Sequence, residues 1–280
     1  MTFIYLLISL IQPFGVIRHG IDKQRSIDLA HQDAYKCVGL MRQNSRVRGS
    51  CVLIHPRIVL TAAHTLMKLT KDVPLTLHFD TIKVKIDSFQ LHPWYLSNKD
   101  ADMALIYLST PLHSIQLPVL NKDRTETGQL SVAVGWGGFS VANDPSSLIE
   151  PGQVKSAGEN MLDTLVGNPL PNGQLPYLYA DFDHPEHARL NRSGSTTCTE
   201  LEFGLDGGDS GGGMFVIQRG KNVLTGINAI SNKNIADIIR TKSFYGSSSQ
   251  WVRISVFRKW IKKEIKKFER KTRFSNVGPV

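Results

Sequence analysis

The clearest indication of the fold comes from residues 49–64, Gly49-Ser-Cys-Val-Leu-Ile-His-Pro-Arg-Ile-Val-Leu-Thr-Ala-Ala-His64. This stretch contains two short apolar runs, residues 51–54 and 57–60, which are separated by His-Pro. Runs rich in β-branched residues with a turn signal between them predict two neighbouring β-strands. The stretch ends on His64, which places an ionisable side chain directly after a strand.

Similar runs recur through most of the chain and are bounded by Gly, Pro, Asn and Asp. Many short strands with turn signals between them predict an all-β fold, either a sandwich or a barrel. Residues 121–127, which are rich in charged residues and threonine, are the best candidate for a linker between two halves. The further runs cover residues 75–78, 82–86, 104–108, 130–134, 214–217 and 223–227.

Composition and charge exclude several classes of protein. The chain has 280 residues, of which 41% are hydrophobic, so it can bury a substantial core and is neither disordered nor collagen-like. The formal charge is 33 − 24 = +9. Residues 258–273 carry nine Lys/Arg and two Glu, so they supply +7 of this excess. One segment is therefore basic rather than the whole fold, and no nucleic-acid partner is expected.

The basic segment has the periodicity of an amphipathic helix. Its apolar residues recur at helical spacing, and lysine and arginine fill the other positions. One interpretation is a helix that docks its apolar stripe on the body while its lysines stay in solvent. The other is a surface that binds an anionic partner. The apolar positions are Phe257, Trp260, Ile261, Ile265 and Phe268.

The N-terminal run at residues 3–11 is apolar but too short to span a bilayer. Its length and position predict a signal peptide over residues 1–15, and hence secretion to an extracellular or periplasmic space. The alternative is a strand buried in the fold.

Three short motifs together predict nucleophilic catalysis. His64 follows a strand, Asp102 opens the strand at 104–108, and Ser210 lies within Gly207-Gly-Asp-Ser-Gly-Gly-Gly213. A serine hydroxyl needs an adjacent base, an imidazole can take and return its proton, and a carboxylate can hold that imidazole in the right tautomer. Glycines around the serine allow backbone N–H groups to face a developing oxyanion.

These motifs resemble the chymotrypsin-like (trypsin-like) serine protease family. The order His64, Asp102, Ser210 is that family's order, and Val134-Gly-Trp-Gly137 resembles its Gly-Trp-Gly segment. The resemblance implies two antiparallel six-stranded β-barrels followed by a C-terminal α-helix. The implied domains are a barrel at 16–122 carrying His64 and Asp102, a barrel at 123–256 carrying Ser210, and a basic amphipathic helix and tail at 257–280.

The resemblance also assigns roles to residues around the nucleophile. The backbone N–H groups of Gly208 and Ser210 would form the oxyanion hole. Asp209 would pair with a new N-terminal amine, for which Val16 is the candidate after removal of residues 1–15. Asp100 is a nearby acid that the Asp-x-Ala-Leu pattern starting at Asp102 excludes.

The specificity pocket of the family would have its base at Gly204, six residues before the nucleophile. Ser231 and Ser249 would line its walls. Because a neutral pocket cannot compensate a buried ammonium or guanidinium group, we expect a preference for apolar or small residues. Glu202 and Asp206 are the acids near enough in sequence to change this.

The cysteines depart from the family. Gly49 and Thr65 occupy the two positions of its common disulfide beside the histidine. Cys37 and Cys51 lie on two neighbouring predicted strands, where they either form a disulfide across the hairpin or stay free as buried thiols. Cys198 is then unpaired.

We therefore expect a secreted serine endopeptidase that acts on protein or peptide substrates as a monomer. No cofactor or metal is implied, because His184-Pro-Glu-His187 lacks the spacing of a helical zinc motif. The alternative is a catalytically silent or adhesive binding protein on the same fold, which would use the basic C-terminal helix on an anionic surface.

Overall fold

The computed structural model describes residues 15–232 and 244–276. The predicted signal peptide therefore lies outside the described residues, except for its last position.

The first half of the chain forms a closed antiparallel barrel with the strand order β2-β3-β4-β7-β6-β5. Residues 51–54 and 58–60 lie in two neighbouring strands of this barrel, as predicted, whereas Arg57 belongs to the turn before the second strand. Its core is continuous with part of the second half, because buried residues of both halves belong to one apolar cluster. The strands are β2 Val38–Gln43, β3 Arg46–His55, β4 Ile58–Thr61, β5 Leu75–Phe79, β6 Ile82–Leu91 and β7 Ala104–Leu108.

The second half forms a larger sheet, a half-barrel, with the order β12-β9-β16-β17-β18-β14-β13, and β8 pairs in parallel with β17. The predicted chymotrypsin-like, mostly β fold is thus confirmed, with one closed barrel and one half-barrel. The strands are β8 Val119–Leu120, β9 Leu130–Gly135, β12 Ser156–Met161, β13 Thr164–Val166, β14 Tyr177–Asp181, β16 Gly213–Gln218, β17 Lys221–Asn232 and β18 Ser248–Arg253.

A small side sheet joins the start of the chain to the second half. Its order is β11-β10-β1-β15. Val16 in β1 pairs with Ser140 on one side and with Gly204 on the other. The start of the chain is thereby held beside the segment that leads to Ser210. The strands are β1 Gly15–Ile17, β10 Phe139–Val141, β11 Asp144–Ile149 and β15 Phe203–Gly204.

Within the described residues, three α-helices accompany the strands: α1 Lys23–Ala30, α2 Ala63–Met67 and α3 Ile254–Asn276. Asp22 caps α1 by accepting a hydrogen bond from the Gln24 N–H. In α3, Phe257 and Ile261 are buried in the main core. The apolar stripe of the C-terminal helix thus docks on the body of the protein, as the first interpretation of this segment predicted. None of the helices within the described residues is both long enough and apolar enough to cross a membrane.

Candidate active site

His64 lies in the first turn of α2, directly after β4. The strand-to-helix turn is fixed by two threonine hydroxyls. Thr61 Oγ1 donates to the Ser50 carbonyl oxygen at 2.9 Å, and Thr65 Oγ1 donates to the Ala62 carbonyl oxygen at 2.7 Å. Both contacts are buried, so the imidazole sits on a rigid support and is itself partly exposed.

Asp102 holds His64 through two contacts, one with the imidazole ring and one with the backbone. Its Oδ2 lies 2.6 Å from His64 Nδ1, and its Oδ1 accepts the His64 backbone N–H at 2.8 Å. A carboxylate at Nδ1 favours the tautomer that carries its proton there and leaves Nε2 free to accept one. Asp102 is buried, whereas the Asp100 carboxylate bonds Asn168 at the surface.

Ser210 lies in the turn between β15 and β16, and Ser50 of the first barrel ties this turn in place. Ser50 N–H donates to the Ser210 carbonyl oxygen at 2.8 Å, and Ser50 Oγ donates to the Gly208 carbonyl oxygen at 2.8 Å. A Cβ added at Gly49 would lie 2.6 Å from the Ser210 carbonyl oxygen and 3.1 Å from Thr65 Cγ2. The serine turn therefore packs against the element that carries His64.

The Ser210 hydroxyl lies 3.4 Å from the Ala229 carbonyl oxygen in β17, which is a long and weak contact. Hydrogen bonds between catalytic groups are often long or misaligned before substrate binds, and they tighten in the complex. A rotation about the Cα–Cβ bond of Ser210 is the movement that would turn the hydroxyl away from β17.

The backbone around Ser210 depends on glycine. Gly208 has a φ of 98° and Gly211 a φ of 91°, which L side chains rarely adopt. A Cβ at Gly211 would also collide with the Ser50 carbonyl oxygen and Thr61 Oγ1. Within the part of the chain that the structure describes, the N–H groups of Gly208 and Ser210 have no hydrogen-bond partner. Both are therefore available to an incoming oxyanion.

Asp209 is buried and accepts two backbone hydrogen bonds. Its Oδ1 accepts the Gly137 N–H at 2.8 Å, and its Oδ2 accepts the Asp206 N–H at 2.9 Å. A Cβ at Gly137 would lie 2.5 Å from the Asp209 carboxyl carbon, which explains why this segment requires glycine. Val16, the predicted partner, is buried in β1 beside β10 and β15.

Two of the three predicted pocket residues are strand partners, and the third, Gly204, precedes a residue that bonds one of them. Ser231 and Ser249 are directly paired on β17 and β18. Ser249 Oγ accepts the Leu205 N–H at 3.0 Å, which connects these strands to the residue after Gly204. The Glu202 carboxylate accepts hydrogen bonds from Thr199 and from the Asp183 N–H, so these contacts direct it towards the loop before β15.

Of the two alternatives for Cys37 and Cys51, the structure excludes the disulfide and shows the buried free thiols. The strand register gives the reason. Cys51 pairs with Gly39, whereas the Cys37 carbonyl oxygen accepts the Leu53 N–H, so the two cysteines are diagonal neighbours. Diagonal positions are about 7–8 Å apart, too far for a disulfide. Burial raises the pKa of Cys37 to about 12.

No sequence motif marks a group of buried carboxyls that lies beside β14 and β15. Asp181, Asp183 and Glu202 are almost fully inaccessible, and Asp163 lies against Asp181. Among the described residues, one carboxylate oxygen of Asp181 and one of Asp183 have no hydrogen-bond partner. Burial is the main cause that raises the pKa of Asp163 to about 7 and those of Asp183 and Glu202 to about 8.

These carboxyls make the stability depend on pH. The pKa values of these carboxyls are higher in the folded than in the unfolded protein, so below about pH 8 the folded state binds more protons than the unfolded state. The free energy of unfolding therefore falls as the pH rises towards 8. We expect the melting temperature to drop by several degrees between pH 6 and pH 9. Asp183→Asn should flatten this dependence, and an equally steep profile in that variant would contradict the account. Differential scanning calorimetry measures both.

Comparison with known proteins identifies the fold family. The family model described as Trypsin matches residues 30–261. The chain belongs to the trypsin family. Among solved structures, neuropsin, a serine protease expressed in the limbic system of mouse brain, matches with a TM-score of 0.56 and 17% identity. The match covers 83% of this chain and 96% of neuropsin, and it shows similarity of fold. No curated protein matches the chain significantly.

Membership of the trypsin family supports a serine protease in general terms, with proteins or peptides as substrates. The family also contains members without catalytic activity. Whether this chain is active therefore has to be judged from the residues of its own candidate site. Ser50, which no sequence motif marks, is one of these residues, because it joins the serine turn to the barrel that carries His64.

Proposed function

We propose that this chain is a secreted serine endopeptidase that hydrolyses peptide bonds through an acyl-enzyme on Ser210. The observation that carries the proposal is the two-point contact of Asp102 with His64, at 2.6 Å and 2.8 Å, beside the glycine-rich turn of Ser210. A structural histidine needs no buried carboxylate that bonds both its ring and its backbone.

In the proposed reaction, Ser210 Oγ attacks the carbonyl carbon of the scissile bond while His64 Nε2 takes the hydroxyl proton. Asp102 keeps Nδ1 protonated and stabilises the imidazolium that forms. The same proton then goes to the leaving amine as the carbon–nitrogen bond breaks. Water enters, gives its proton to His64 and releases the acid, and the serine hydroxyl is restored.

The charge that develops on the carbonyl oxygen would be stabilised by the N–H groups of Gly208 and Ser210. Removing one such donor typically costs about 2.7–4 kcal/mol of transition-state stabilisation. Ser50 acts through its neighbours, because it bonds the carbonyl oxygens of these same two residues. It is a positioning residue for the oxyanion hole.

The proposal is tested by incubating the purified protein with a peptide library and sequencing the products by mass spectrometry. Cleavage by the wild-type protein and its absence in Ser210→Ala support the endopeptidase. No cleavage by a folded wild-type protein, at any pH between 6 and 9, favours the silent binding protein instead.

Cleavage should favour apolar or small residues before the scissile bond. Gly204 contributes no carboxylate, and Ser249 already accepts a backbone N–H. A buried substrate cation would remain uncompensated in such a pocket. We expect kcat/KM for Phe or Ala substrates to exceed that for Arg substrates at least about tenfold. A preference for Arg that disappears in Asp206→Asn would contradict this and would assign the pocket acid to Asp206.

Activation is proposed to follow from removal of residues 1–15, which leaves the amine of Val16. Asp209 would then receive a cation, and a buried carboxylate is stabilised by a paired positive charge. Intact-mass and N-terminal sequencing of the secreted protein should give Val16 as the first residue, and Asp209→Asn should lower kcat/KM. An active enzyme that begins well past Ile17, or full activity with an extra residue before Val16, would overturn this.

A further inference from the structure

The exposed face of α3 carries a line of positive charge, which we call the basic row. Its six side chains follow helical spacing and all of them are exposed. At 1.5 Å per residue the row extends over about 16 Å, and with Arg258 it lines a shallow groove along the helix. The members of the row are Lys259, Lys262, Lys263, Lys266, Lys267 and Arg270.

Few acids neutralise the row. Glu264 is buried and lies 3.6 Å from Lys267, while Glu269 faces His55 at 3.6 Å. Within residues 15–232 and 244–276, no other member of the basic row makes an ion pair. Adjacent lysines repel one another, which makes the electrostatic free energy of the row unfavourable. An anionic partner would remove this repulsion.

The opposite face of the helix fixes the row in place. Phe257 and Ile261 are buried in the main core, and Phe268 stacks on Tyr107 of the first barrel with ring centroids 5.3 Å apart. The Arg57 guanidinium also lies 5.4 Å from the centre of the Phe268 ring. Because α3 is anchored from Phe257 to Phe268, the backbone positions from which the cations project are fixed relative to one another.

We propose that the basic row binds a linear sulfated polysaccharide. Six cations within about 16 Å match a polymer that carries more than one anionic group per sugar unit. Lysine predominates in the row, and its ammonium is a compact point charge that needs no planar, bidentate partner. The contact would therefore be ionic, and its strength would not depend on the order of the sulfate groups along the polysaccharide.

Two other anionic partners fit the structure less well. A helix that binds a bilayer lies with its apolar face in the lipid, whereas the apolar face of α3 is already buried in the protein. A helix that reads duplex DNA enters a major groove about 8.5 Å deep, but α3 presents only its outer side. No aromatic residue belongs to the row, so it also offers no stacking platform for single-stranded nucleic acid.

The test compares two variants of the full chain with the same loss of charge. In one, Lys259, Lys262, Lys263 and Lys266 are replaced by Gln. In the control, Gln replaces four exposed lysines outside α3, namely Lys83, Lys85, Lys122 and Lys221. Binding to fluorescent heparin fragments, to vesicles containing phosphatidylserine and to duplex DNA is measured over a range of salt concentrations. Circular dichroism checks that each variant is folded.

We expect the α3 variant to bind heparin at least about tenfold more weakly, with a shallower salt dependence, while the control stays within about twofold of the wild type. Equal losses in both variants would mean that only net charge matters and would overturn the proposal. Tighter binding to vesicles or DNA than to heparin at the same salt would also overturn it. These binding measurements require no catalysis, so their outcome does not depend on whether the protein is a peptidase.

Discussion

Ser210→Ala is expected to lower kcat on peptide substrates by about 10⁴–10⁶-fold, because the imidazole then has no nucleophile to activate. His64→Ala should cost about as much, since the nucleophile is then without a base. Asp102→Asn should cost about 10⁴-fold, because an amide at Nδ1 favours the wrong tautomer of His64. Steady-state kinetics on a cleaved library peptide measures all three.

Two controls separate this prediction from general damage. Ser88 is exposed on β6, so Ser88→Ala should keep wild-type kinetics. The double variant Ser210→Ala with His64→Ala should be no slower than either single variant, because the groups act as one unit. Activity within tenfold of wild type in Ser210→Ala would assign catalysis to another group.

Glu126→Gln is expected to give the largest loss of stability, about 3–5 kcal/mol. Glu126 and Arg253 form a buried pair, with Arg253 Nη2 2.8 Å from Glu126 Oε2 and Ser255 Oγ 2.5 Å from Glu126 Oε1. Removing the carboxylate leaves the guanidinium charge without a counter-ion in the protein interior. Urea unfolding followed by tryptophan fluorescence measures the change.

The matched control removes both charges at once. The double variant Glu126→Leu with Arg253→Met should be less destabilised than Glu126→Gln, since no uncompensated charge remains. If the double variant is the less stable of the two, packing around Arg253 matters more than its charge, and this account of the pair is wrong.

The sequence predicted the fold and the candidate catalytic residues because both depend on short local patterns. The run that ends at His64 and the glycines around Ser210 each have a local cause: a strand followed by a turn, and a backbone with positive φ. The sequence could not predict strand register, which separates Cys37 from Cys51. That register depends on how the whole hairpin packs in the barrel.

Partners distant in sequence were also beyond prediction. Residues 121–127 have the composition of a linker, yet Glu126 is buried there because Arg253, more than a hundred residues later, needs a counter-charge. Lys155 is likewise buried and bonds Asp80 of the first barrel at 3.1 Å. The carboxyls beside β14 come from separate strands and loops, so no motif marks them.

Catalysis by Ser210 is tested without any substrate by treating the wild-type protein with a fluorophosphonate probe and locating the adduct by peptide mass spectrometry. Such probes phosphonylate a serine only when an adjacent base activates it and donors stabilise the oxyanion. We expect a single adduct on Ser210 that is absent in Ser210→Ala and strongly reduced in His64→Ala. A folded wild-type protein that takes up no label, or a label on another residue that persists in Ser210→Ala, would contradict this expectation.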